Sequence, residues 1–216
     1  QGFYIATAAG GLLLYNNNRD PEKLNRLMQQ HLQEFKAPSS ATPISPGTVD
    51  ARYNPSLPKE GCIVRVQARV LGGYPPTTDR WQKIFQSSLS RDNLWISKAE
   101  QQALTKGQVM QSLQERIARF HLVDNTRGEP PMWKKQEIRQ LKITFDGTTL
   151  RGSVHLETAD GKRGYVAQLM GKIELRSGKI VRFDMVADGN FWGQGPYSRN
   201  APLGRFPLAV GFRLAD

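Results

Sequence analysis

Cysteine is nearly absent from this sequence: Cys62 stands alone among 216 residues. No internal disulfide can form, and no metal site built from several cysteines is available. Histidine is also scarce, and His31, His121 and His155 are widely separated along the chain, so they announce no acid–base or metal cluster. No apolar run approaches the roughly 18 residues of a membrane-spanning helix. The apolar opening GFYIATAAGGLLLY is broken by Gly-Gly and lacks the basic leader of a signal peptide. The patterns G-x-S-x-G, G-x-x-x-x-G-K and H-E-x-x-H do not occur, which removes the common serine-hydrolase, phosphate-loop and zinc-protease signatures. No catalytic constellation is left to build on, and no cofactor is implied.

What the chain does have is positive charge. Thirty Lys and Arg against nineteen Asp and Glu give a net charge of +11, a balance that favours anionic partners through a field that salt screens. The basic residues are scattered, with no block of five or more, so the sequence by itself reads as a solvated basic surface rather than a nucleic-acid site.

The order of segments suggests two blocks and a connection. Residues 1–36 hold strand-like Phe3–Thr7 and Leu12–Tyr15 around a Gly-Gly turn, then a helix that Asp20 caps ahead of Pro21. Leu24, Leu27, Met28, Leu32 and Phe35 recur at helical spacing and leave one apolar stripe to be covered by a partner or an upstream segment. Residues 37–58, rich in Pro, Ser and Thr, read as an extended linker. Residues 59–216 open with CIVRVQARV, whose alternation predicts a half-buried strand with Cys62 turned inward and a basic outer face. The stretch DRWQKIFQSSLSRDNLWIS is irregular and partly helical. Val109, Met110, Leu113, Ile117 and Phe120 predict one long helix from about residue 106 to 122. From Gln136 the period becomes two, punctuated by Asp146-Gly147, Asp160-Gly161 and Ser177-Gly178, which predicts hairpins. The strands fall at about 137–145, 149–158, 163–176 and 180–188, with a last one in FPLAVGFRLA. The fold class is α+β: an antiparallel meander, curved or partly closed into a barrel, packed with one long helix.

The stretch FYIATAAGGLLLYNNNRDPEKLNRLMQQHLQEF, residues 3–35, resembles the last strand–strand–helix of a thioredoxin-like domain. That resemblance implies a processed or partial chain, with the family's dithiol and cis-proline loop upstream of this element, and carries no catalytic residue onto any position here. The β-rich block after it is similar to C-terminal regions that follow thioredoxin-like domains in bacterial proteins. The compartment stays open, with a lean to the periplasm or the exterior.

Three functional readings follow. In the first, the β-rich block is a non-catalytic accessory module that holds a partner on two aromatic loops. TRGEPPMWKK offers Trp133, and DGNFWGQGPYSRNAPLGRF offers Phe191, Trp192, Tyr197, Arg199 and Arg205 as platforms and guanidinium forks. The same loop also reads as one pinned by its own aromatics. In the second, an enzyme or metal site is assembled around His121 and Cys62; a helix-end histidine and a small core thiol are the plainer readings of those two. In the third, net charge binds anionic polymers or surfaces. Asp184 and Asp188, both on a predicted strand, are assigned no role.

Overall fold

The computed structural model describes residues 2–7, 10–18, 20–36 and 56–215. Contacts divide the chain into two compact units, Gln1–Pro55 and Ser56–Asp216. Residues 37–55 of the expected linker lie outside the described residues.

In the first unit, β1 (Phe3–Ala6) and β2 (Leu12–Asn16) form an antiparallel hairpin. The helix α1 (Pro21–Glu34) follows with Asp20 as its cap, the Asp20 carboxylate accepting from the Glu22 and Lys23 amides. Leu24 and Leu27 are half-buried, whereas Met28, Leu32 and Phe35 are exposed. His31 sits on the same helix, its Nδ1 2.9 Å from the Leu27 carbonyl oxygen.

The second unit is α+β. Its centre is a curled, antiparallel half-barrel of seven strands. In chain order these are β3 (Cys62–Val70), β4 (Asp92–Ile96), β6 (Ile138–Phe145), β7 (Thr149–Glu157), β8 (Gly164–Arg176), β9 (Lys179–Trp192) and β11 (Arg205–Leu214). Across the sheet they stand β4-β3-β11-β9-β8-β7-β6. Two-residue strands β5 (Gly128–Glu129) and β10 (Tyr197–Ser198) pair with each other outside it. The hairpins form where their turn chemistry places them. Ser177 and Gly178 both take positive φ, 50° and 77°, the mirror-image turn whose twist matches the strands it joins.

Period-two alternation decides which face is inside. Val64, Val66, Ala68 and Val70 of β3, Leu169 and Ile173 of β8, Phe183, Met185 and Ala187 of β9, and Phe206, Leu208, Val210 and Phe212 of β11 all turn to one core. The segment between β4 and β6 adds Leu104, Leu113, Ile117 and Leu122 to that core.

The expectation of one long helix over 106–122 is corrected. The region between β4 and β6 holds α3 (Lys98–Thr105), α4 (Gln111–Arg116) and a π turn over Ile117–His121, and α2 (Arg80–Ser87) lies between β3 and β4. A turn at Gly107, with φ 72°, separates α3 from α4. The π turn then inserts a residue, so that the Leu122 amide donates to the Ile117 carbonyl at 3.1 Å. That widening rotates the next residues inward: Ile117, Ala118, His121 and Leu122 are all buried. Apolar spacing alone does not distinguish this from a continuous helix, because Leu113 and Ile117 share a face in both.

Candidate functional site

The alternation that buries one face of the sheet turns the other outward, and strand register then sorts the outward side chains into rows. Arg65 of β3 pairs with Arg213 of β11, Arg213 with Asp184 of β9, Asp184 with Lys172 of β8, and Lys172 with Thr149 of β7. The next outward row, about 6.7 Å along the strands, runs Gln67, Gly211, Val186, Met170, Arg151. Both rows line an open depression of about 860 Å³. Gly211 supplies its floor: a Cβ placed there would meet nothing nearer than the Gln67 carbonyl oxygen at 3.9 Å.

Electrostatics set this depression apart. Arg65, Arg151, Lys172, Arg182 and Arg213 line it against a single carboxylate, Asp184. Arg182 is committed, donating to Asp184 at 2.6 Å and to Glu174 at 3.1 Å, and these two carboxylates hold its guanidinium above its ordinary pKa. Among the described residues, Arg65, Arg151, Lys172 and Arg213 pair with no carboxylate. Val186 and Met170 stand exposed in the apolar row beside them. The site thus offers unengaged cationic donors next to a short apolar strip.

The residues expected to form an aromatic surface are placed differently. Trp133 is fully buried, its indole nitrogen donating to the Leu122 carbonyl at 2.8 Å and its ring lying 4.0 Å from the Arg163 guanidinium. Phe191 is buried among Trp133, Tyr165 and Phe206. Neither presents a surface to a partner, because each fills the core where β9 continues past the expected end at 188. Trp192, the next residue on that strand, faces the other way. Its indole donates to the Gly161 carbonyl at 2.9 Å, and Arg205 stacks 3.9 Å above its ring. Tyr197 is exposed. Arg199 is exposed and contributes its carbonyl to Arg127 at 3.1 Å. The loop after β9 is therefore held by its own contacts: a buried Arg127–Asp124 ion pair reaches its backbone, and Ser198 bonds Gly195. Of the expected set, Trp133 meets Phe191 inside the core and Trp192 meets Arg205 outside it. A second hollow of about 500 Å³ lies beside the loop, between Tyr74, Phe85 and Pro202.

His121 and Cys62 are not brought together. His121 is buried, its Nδ1 2.7 Å from Asp92 Oδ2 and its ring edge-on to Phe212. Burial pushes the Asp92 carboxyl up, and the bond and charge of His121 more than offset it, so that its pKa lies below the ordinary value. Cys62 pairs with Ile96 while Asp92 pairs with Val66, four residues further along β3 and so about 13 Å away. Burial, with Glu100 nearby, pushes the Cys62 thiol up to about 11, which keeps it protonated near neutrality. His155 is half-exposed against Glu157 at 2.9 Å. Among the described residues no three His, Cys, Asp or Glu side chains converge as a metal set, and no helix is long and apolar enough to cross a membrane.

Reading scattered Lys and Arg as an unfocused surface missed the depression. The signal was present in the outward phase of Arg65 and Gln67, of Met170 and Lys172, of Asp184 and Val186, and of Arg213. Converting phase into a site needs the strand order, and the sequence does not display that β11 lies between β3 and β9. Searched against family models, curated proteins and solved structures, the chain matches none of them. The resemblance of residues 3–35 to a thioredoxin-like element consequently gains no support from a match.

Proposed function

We propose that the β-rich unit is a non-catalytic binding module that holds an anionic partner on the open face of its sheet. The observation carrying this reading is the gathering of Arg65, Arg151, Lys172 and Arg213, without carboxylates of their own among the described residues, around one depression. Guanidinium forks suit carboxylate or phosphate oxygens. The surplus positive charge of the chain would speed encounter with such a partner at low salt. Behind a thioredoxin-like element, this unit serves as an accessory domain; the strand–turn–strand–helix order of the first unit is what favours that part of the reading. The aromatic loop is a weaker candidate surface, because Trp192 and Arg205 already satisfy each other.

The test separates a site from mere charge. Arg65→Glu with Arg213→Glu is compared with Arg176→Glu with Lys179→Glu, which makes the same charge change at the β8–β9 turn. Elution from a phosphate-bearing matrix along a salt gradient is the measurement. The first pair is expected to release the protein at clearly lower salt than the second. Equal shifts would assign retention to net charge and overturn the site.

A further inference from the structure

The row of charges across the sheet is not uniform, and its break carries information about the partner. Read along the register, the row runs positive at Arg65, positive at Arg213, negative at Asp184 and positive at Lys172; Arg182 is shared between Asp184 and Glu174, so that cluster of three keeps one negative charge. At about 4.8 Å per strand, a chain lying across the strands meets these charges in that order. A phosphodiester or acidic sugar polymer carries negative charge at every repeat and must set one charge against Asp184. A peptide can place a neutral or basic residue there. The second row lends the same preference, since Val186 and then Met170 stand exposed in succession to one side of Gly211 across the strands, leaving room for an apolar side chain over the glycine and against them. No exposed aromatic ring lines the depression, so bases find nothing to stack on. A flat lipid surface does not follow the hollow down to Gly211.

We infer that the depression takes an acidic, mixed-charge peptide segment of a protein partner, its carboxylates on Arg65, Arg213 and Lys172, a non-acidic residue at Asp184, and an apolar side chain seated over Gly211. This rests on the anion-binding reading above and specifies its ligand.

Fluorescence anisotropy with the intact chain tests it. The probes are a short labelled peptide of glutamates and leucines with one central lysine, oligoglutamate and oligothymidylate of equal net charge, and, by co-sedimentation, phosphatidylglycerol vesicles. The mixed peptide is expected to bind about fivefold more tightly than oligoglutamate, the size of one exposed charge contact turned from repulsion to attraction. Asp184→Asn should bring the two within about twofold. Gly211→Val, which fills the floor without displacing backbone, should weaken the mixed peptide about tenfold by shutting out its leucine. It should leave oligoglutamate nearly unchanged, with circular dichroism confirming the fold. If oligoglutamate, oligothymidylate or vesicles bind as well as the mixed peptide, and Asp184→Asn alters nothing, the peptide assignment is overturned while anion binding stands. If no probe binds in a salt-sensitive way, the anion-binding reading itself falls.

Discussion

Trp133 and Trp192 show how one residue type takes opposite duties. Trp133 has no exposed surface, meets Phe191, and satisfies its indole on a backbone carbonyl. Removing it leaves a large cavity, so Trp133→Ala is expected to cost about 3–5 kcal/mol. Trp192 packs outside the core against Arg205, where an exposed cation–ring contact is worth about 0.5–1 kcal/mol. Urea unfolding of the two variants should give a large loss for the first and a small one for the second; the reverse order would place the core wrongly. The split between Phe191 and Trp192 was not legible in the composition of their loop, because Asp188-Gly189 looks like a turn. It is instead a close approach between strands: a Cβ on Gly189 would collide with the Val166 carbonyl oxygen. Glycine there lets β9 run on to Trp192, which puts Phe191 in the core and Trp192 outside.

At the scale of elements, α3 shows how local chemistry fixes a helix that apolar periodicity does not reveal. Ser97 and Glu100 form a reciprocal capping box, and Arg116 of α4 donates to both Glu100 oxygens at 2.6 and 2.7 Å. Burial pushes the Glu100 carboxyl up, but the Ser97 amide and the Arg116 guanidinium outweigh it and hold the pKa below its ordinary 4.5. A carboxylate depressed on folding stabilises fully above its unfolded pKa, and the contribution is lost as pH falls through the lower folded value. Wild-type protein should therefore lose urea stability in that acid window faster than Glu100→Gln, and the variant should be weaker by about 1–3 kcal/mol at neutral pH. Parallel pH profiles would refute the depressed carboxyl. The meander strands were readable because hairpin turns and alternation coincide with each of them. β4 and α3 were not, since five residues of strand and eight of helix offer little period, and the decisive Glu100–Arg116 bond spans sixteen positions.

For the molecule as a whole, charge and topology act together. The excess of +11 looks diffuse along the chain, yet the order β3-β11-β9-β8-β7 gathers part of it into one depression, so a linear scan sees neither the gathering nor the interruption at Asp184. The topology has one more outcome, because a half-barrel of seven strands stops short of closure. It ends at β4 on one side and β6 on the other, and an edge strand presents backbone donors and acceptors to any extended chain that drifts past. β6 carries exposed Arg139 and Lys142 and an irregular pairing register between Ile138 and Gln140, both of which discourage a second copy from docking edge to edge. Some of the positive charge thus works as a guard against self-association and not as a lure for ligand. Replacing Arg139 and Lys142 with Thr should leave the mixed-peptide affinity nearly intact while light scattering rises with concentration.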